Sequence, residues 1–176
     1  MSIANVKEHF RKFSREQDVQ EFAASSATVE MAAAVIGVIP ARIAKTLSFR
    51  GAQEDAILIV AAGDAKIDNR KFRETFGFKA RMLSPDEVFE QTGHEIGGVC
   101  PFGLARPLDV YLDESMKRFS TLFPACGSTN SAIELTCAEL AEYSGSRAWV
   151  DVCKGWKEEP TPSQTETTPD YETRCN

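Results

Sequence analysis

Lys45-Thr46-Leu47-Ser48-Phe49-Arg50 and Ala56-Ile57-Leu58-Ile59-Val60-Ala61-Ala62 read as two apolar strands, and Gly51-Ala52-Gln53-Glu54-Asp55 joins them. That connector fits an antiparallel hairpin. Upstream, Val6, Phe10 and Phe13 lie at helical spacing between charges, which predicts an amphipathic helix over residues 3–13. Residues 18–24 suggest a short strand. Thr28 is placed to cap a helix from Val29 to Ile36, which Gly37 stops. Pro40 opens a further helical turn to about Ala44.

Downstream, Asp68 or Asn69 caps a basic helix that ends at Phe76 and Gly77, and residues 79–83 suggest a short strand. Ser84-Pro85-Asp86-Glu87 combines a capping serine, a proline at the first helical position and the reciprocal glutamate. Strands follow at 108–112, 121–125, 132–135 and 148–152, with a helical turn at 114–118. Thr136-Cys137-Ala138-Glu139 is a second capping box, and its helix stops at Gly145. Helices interrupt the strands irregularly, which favours α+β over a doubly wound parallel sheet. The expected architecture is a bent, mixed and mostly antiparallel sheet, a partly closed barrel with flanking helices. Residues 1–153 form one domain. From residue 154 prolines, threonines and glutamates accumulate with little to bury, so 154–176 is expected to be a disordered tail.

Composition narrows the function. The 176 residues are 43% hydrophobic and 26% charged, with a net charge of −6. Residues 66–81 hold six basic and two acidic side chains, +4 locally, which leaves −10 elsewhere. Indiscriminate nucleic-acid binding is disfavoured, but the patch around Arg70, Lys71 and Arg73 could hold one phosphate backbone or be a solvated helix face. Five cysteines without a C-x-x-C pair, and two histidines without a partner at metal spacing, argue against a disulfide framework and a zinc site. Free thiols suit a reducing cytosol. No apolar run approaches the ~20 residues that span a bilayer, and Met1–Asn5 lacks a signal-peptide pattern. The expectation is a cytoplasmic protein with no metal, cofactor or membrane partner.

Thr92-Gly93-His94-Glu95-Ile96-Gly97-Gly98-Val99-Cys100-Pro101-Phe102-Gly103 is the least ordinary stretch. Four glycines and a proline exclude a good helix and leave the backbone bare. Such a loop either offers N–H groups to a small ligand or simply joins two elements. Lys45 stands between apolar neighbours, so its ammonium either snorkels outward or enters a site. Asp64, at a strand end, could orient a ligand or cap a turn, and Asn130 in Gly127-Ser128-Thr129-Asn130 could bind substrate or hold its loop. Cys100 is a nucleophile or a small filler, with His94 the nearest base in sequence. No Walker loop or dinucleotide fingerprint is present.

Four places in chain order, Ile43-Ala44-Lys45-Thr46-Leu47, Ala61-Ala62-Gly63-Asp64, the 92–103 loop and Ala125-Cys126-Gly127-Ser128-Thr129-Asn130, make the sequence resemble the YbaK/prolyl-tRNA-synthetase-associated editing-domain family. The likeness spans about residues 3–152. It implies a trans-editing hydrolase that removes a wrongly attached small amino acid, such as Cys or Ala, from tRNA for proline. The implied partners are the 3′ acceptor end of aminoacyl-tRNA and prolyl-tRNA synthetase, and no metal is needed. The family's essential lysine maps to Lys45, and its G-x-x-x-P loop to Gly97 and Pro101. Catalytic roles then fall to Lys45, Gly97 and Gly98. Substrate contacts fall to Thr46, Asp64, Val99, Cys100, Pro101, Phe102, Gly127, Ser128 and Asn130, and acceptor-stem contacts to Arg70, Lys71 and Arg73. Thr46 resembles the cysteinyl-tRNA deacylases, whereas the Gly-Ser-Thr-Asn loop departs from their pattern, so the amino acid stays open. Two other readings stand beside this one: a module that grips a tRNA end or a synthetase without hydrolysis, and a cysteine hydrolase using Cys100.

Overall fold

Side-chain caps and left-handed glycines divide the chain into its elements. The computed structural model describes residues 2–53 and 55–156. Helix α1 (Ser2–Arg11) buries Val6 and Phe10. A 3₁₀ turn at Glu16–Asp18 precedes β1 (Gln20–Glu21). Thr28 accepts from the Met31 N–H at the start of α2 (Val29–Ile36), and a 3₁₀ turn at Pro40–Arg42 leads into β2 (Ile43–Arg50). Then come β3 (Ala56–Ala62), β4 (Lys66–Ile67) and α3 (Asn69–Phe76), where the Asp68 carboxylate accepts from Arg70 and Lys71 N–H. The Ser84–Glu87 capping box opens α4 (Pro85–Thr92). Strand β5 (Asp109–Asp113) runs into a 3₁₀ helix, Glu114–Arg118. The chain continues through β6 (Thr121–Pro124), β7 (Ser131–Ala132) and β8 (Leu135–Thr136). The Thr136–Glu139 box opens α5 (Cys137–Ser144), and β9 (Ala148–Val150) and β10 (Cys153–Lys154) follow.

Six strands form the main sheet in the order β8-β6-β2-β3-β5-β9. The β2–β3 hairpin is antiparallel from Ala44↔Ala62 to Arg50↔Ala56. Strand β8 is antiparallel to β6, whereas the β6–β2, β3–β5 and β5–β9 pairs are parallel. Two small antiparallel sheets, β1–β7 and β4–β10, complete the set. Antiparallel pairs are thus four of the seven described, but within the main sheet parallel pairs are three of five. The whole is α+β, a curled half-barrel with helices around it. Among the described residues no helix is long and apolar enough to cross a membrane.

Strand β3 explains where the cores lie. All seven of its residues are buried, as a run of Ala, Ile, Leu and Val requires when both sheet faces are covered. Its side chains alternate. Leu58, Val60 and Ala62 join Val6, Phe10, Phe102 and Leu140 on the face covered by α1 and α5. Ile57, Ile59 and Ala61 join Phe49 and Phe72 on the face covered by α3. A third cluster, Ala32, Ala33, Ile43 and Phe123, seats α2 against β2 and β6.

The structure corrects several expectations. Residues 79–83 are not a strand: they meet β2 only through a Phe49–Met82 bridge and the bonds Arg50 N–H to Arg81 O and Leu83 N–H to Ser48 O. The strand expected over 132–135 is two strands, because the chain changes partner from β1 to β6 within it. Only Gln20–Glu21 of residues 18–24 is extended. Ordered pairing also runs past residue 153, since Lys154 pairs with Lys66. The rest of the expected tail, 157–176, lies outside the described residues.

Gly63 follows β3 at a point of close approach. A Cβ there would press on the Pro40 carbonyl oxygen and lie 2.7 Å from Val29 Cγ1. Gly63→Ala is therefore expected to destabilise the fold by ~1–3 kcal/mol, the range for overpacking. A urea melt reads this as a lower midpoint at unchanged slope.

Candidate active site

Strand β2 is fully paired with β3 on one side and incompletely paired on the other. Strand β6 meets it only at Ile43 and Ala44, and residues 81–83 meet it only at Ser48–Arg50. Lys45, Thr46 and Leu47 lie in the interval, which opens onto a cavity of about 250 Å³. Ala27, Thr28, Val29 and Ala32 from α2 and the residues before it bound this space on one side. Met82, Leu83 and Val88 bound another, and Ile96, Gly97 and Val99 come from the glycine loop. Phe123, Ala125, Ser131 and Ala132 close the rest. Most of this lining is apolar. The Thr46 hydroxyl oxygen is buried and has no hydrogen-bond partner among the described residues.

Lys45 is the one titratable side chain among the residues that line the cavity. Its ammonium donates to Gly63 O at 3.2 Å and to Ala65 O, both in the turn after β3. An ammonium has three donors, so one N–H remains for a ligand. Burial pulls the Lys45 pKa below its ordinary value, against the opposing pull of Asp64 and Glu30. The chain thus has a partly desolvated cation held by backbone carbonyls at a mostly apolar cavity.

The other expected site residues divide between this cavity and the interior. Gly97 and Val99 line it, and their N–H groups find no acceptor among the described residues. Gly98 does not. Its N–H donates to Glu95 O at 3.0 Å, and an added Cβ would lie 2.6 Å from Ser128 N. Gly98, Gly127 and Ser128 line a separate depression on the other side of the loop. Asp64 does not line the cavity, because Arg118 grips its carboxylate at two points, 3.0 and 2.6 Å. Asn130 is occupied in holding its loop: its amide donates to Phe22 O at 2.9 Å and its Oδ1 accepts from Ser128. Of the basic helix, Arg70 is exposed beside Glu74, whereas Lys71 is taken by Asp151 and Cys153 O. Ser26, Ala27, Thr28, Met82 and Ser131 also line the cavity, yet nothing in the sequence marked them as site residues beyond the helix-start signal of Ser25–Thr28.

A family model described as "Aminoacyl-tRNA editing domain" matches residues 23–143. The chain is 69% identical over 157 residues to the uncharacterized protein YwhH of Bacillus subtilis, covering 89% of this chain and 100% of that one. It is 30% identical over 109 residues to a candidate Cys-tRNA(Pro)/Cys-tRNA(Cys) deacylase, EbsC, of Enterococcus faecalis, covering 61% of this chain and 66% of that one. A solved structure of a candidate trans-editing enzyme for prolyl-tRNA synthetase superimposes with a TM-score of 0.79 at 31% identity, covering 88% of this chain and 98% of that chain.

The remaining loop residues serve packing. Cys100 and Phe102 are wholly buried and Pro101 is buried. Burial pushes the Cys100 thiol up to about 12, so it carries no appreciable thiolate near neutrality. His94 is also wholly buried and is no free base: it bonds the Ser2 hydroxyl through Nδ1 and Phe102 O through Nε2, the latter at 2.7 Å. The Cys100 nucleophile is thereby replaced by a core thiol. In native protein at neutral pH, Cys100, Cys126 and Cys153 are expected to resist iodoacetamide while half-buried Cys137 reacts. Peptide mass spectrometry before and after urea checks this.

Proposed function

The chain belongs to the aminoacyl-tRNA editing-domain family, and on that premise we propose that it hydrolyses the ester bond of mischarged aminoacyl-tRNA. The observation that carries the reading is a single cavity lined by Lys45 and Thr46 on one side and by Gly97 and Val99 on another. At about 250 Å³ it falls below the ~300–1,000 Å³ of sites that enclose drug-sized ligands. It therefore suits an aminoacyl group, with the nucleotide outside. Apolar walls favour a small, uncharged amino acid such as alanine or cysteine. The names of the relatives support tRNA for proline as the carrier and prolyl-tRNA synthetase as the enzyme served.

An aminoacyl ester is already activated, so placement and charge stabilisation matter more than a strong nucleophile. Water adds to the ester carbonyl carbon, and the carbonyl oxygen takes up negative charge. The third Lys45 N–H and the unpaired N–H groups of Gly97 and Val99 are the donors available to that oxygen or to the terminal phosphate. When the tetrahedral intermediate collapses, the carbon–oxygen bond to the ribose breaks. The ribose oxygen receives the proton that water brought, and free amino acid and uncharged tRNA leave. The Thr46 hydroxyl, which has no partner among the described residues, supplies one polar contact inside a mostly apolar space. Arg70 and Arg73 are the side chains of the basic helix available to an acceptor stem.

Purified protein incubated with a panel of mischarged tRNAs tests the reading. Lys45→Ala is expected to lower kcat by ~10²–10³, the cost of one preorganised donor. Wild-type activity should fall as pH rises through a value below the ordinary lysine ~10.4, because burial lets the ammonium lose its proton early. Loss of no ester from any tRNA, with tRNA or synthetase still bound, makes the chain a binding module instead.

A further inference from the structure

The turn that holds Lys45 is itself held from behind by the 3₁₀ helix Glu114–Arg118. Ser115 and Asp113 are fully buried. The Ala62 N–H donates to Ser115 Oγ at 3.1 Å, and the Ser115 N–H donates to Asp113 Oδ2 at 2.9 Å. The other Asp113 oxygen accepts from Val152 N–H at 2.9 Å. One turn on, Arg118 donates through Nε to Ser115 O at 2.8 Å and through both terminal nitrogens to Asp64. Its guanidinium packs over the rings of Phe119 and Trp156, at 4.8 and 5.1 Å. Asp64 sits between the two residues, Gly63 and Ala65, whose carbonyls receive the Lys45 ammonium.

We propose that Arg118 is a positioning residue for Lys45. Its two-point grip turns the Asp64 carboxylate outward, keeps the Gly63 and Ala65 carbonyls aimed at the ammonium, and stops Asp64 from pairing with it directly. The planar fork matters, because a carboxylate gripped at two points cannot rotate. Without Arg118 an unpaired carboxylate remains one residue away from both carbonyls that hold the cation. The ammonium would exchange two neutral acceptors and a free N–H for an ion pair, and would be withdrawn from the cavity. Asp64 and Glu30 favour the charged Lys45 and Lys66 opposes it, while burial raises the neighbouring Cys153 thiol so that it stays neutral as Lys45 titrates; apart from Asp64, these groups stay in place in every variant below. The proposal rests on the deacylase reading only where activity is measured.

Two readouts test it. The first is deacylation of the best substrate from the mischarged panel. The second is an NMR titration of the Lys45 side chain in the full chain, which needs no activity. Arg118→Met keeps the aliphatic arm and removes the guanidinium, with its grip on Asp64, its contacts to Phe119 and Trp156 and its bond to Ser115 O. It should lower kcat at least about ten-fold with KM within about two-fold, and move the Lys45 titration to higher pH. Asp64→Asn removes the competing carboxylate and should move the titration to lower pH. The double variant Asp64→Asn/Arg118→Met should return the titration to or below the wild-type position and recover part of kcat. A merely structural role for Arg118 would lower kcat in Arg118→Met without moving the Lys45 titration to higher pH. Arg118→Met with a wild-type titration and kcat overturns the proposal, as does a double variant that titrates like Arg118→Met alone. If Arg118→Met fails to fold, a wild-type titration in Asp64→Asn overturns it. If the wild-type chain deacylates nothing, the deacylase reading fails and the titration still decides the role of Arg118.

Discussion

Strand β2 is bonded along its length to β3, but its other edge loses β6 after Ala44 and gains residues 81–83 only from Ser48. A strand edge left open in this way presents backbone groups and side chains that need partners. Here the opening is short, three residues, and is covered by α2 and the glycine loop rather than by solvent. The cavity is therefore a consequence of sheet topology. Strand β6 runs parallel to β2 and diverges, while the chain after α3 returns to the far end of β2 without forming a strand of its own. Lys45 occupies the gap because it is the third residue of β2, just past the last residue paired with β6.

Placing a cation there has a cost that the fold must offset. A desolvated ammonium without acceptors is strongly unfavourable. The turn after β3 supplies two carbonyls, and Gly63 lets that turn pass close to Pro40 and Val29. Behind it the buried Asp113, Ser115 and Ala62 N–H form a satisfied network that anchors the turn to the sheet. Buried polar networks that are fully satisfied fix geometry, and this one fixes the carbonyls rather than the lysine directly. Rigidity at the site thus originates one layer away, in residues that never meet the cavity.

Much of the fold was legible because helix ends are local chemistry. Thr28, Asp68, Ser84–Glu87 and Thr136–Glu139 each satisfy N–H groups within three residues, and the helices begin where those side chains predict. Strands such as Lys66–Ile67 and Cys153–Lys154 were not legible, since two residues become a strand only through a partner more than 80 positions away. The same limit applied at the site. Lys45, Thr46, Gly97 and Val99 were recognisable and do line one cavity. Gly98 and Cys100 share their loop but turn away from it, and linear adjacency does not show which way a bare backbone faces. Asp64 looked available because Arg118, which occupies it, lies 54 residues downstream.

The cavity draws its lining from well-separated stretches of chain: 26–32, 43–48, 82–88, 96–99 and 123–132. Only the second carries the cation, and the cation's supports lie outside the lining altogether. A change at Met82 or Ala132 can therefore reshape the space while the carbonyls that hold the Lys45 ammonium stay in place. A fold partitioned in this manner separates the shape of the space from the support of its charge.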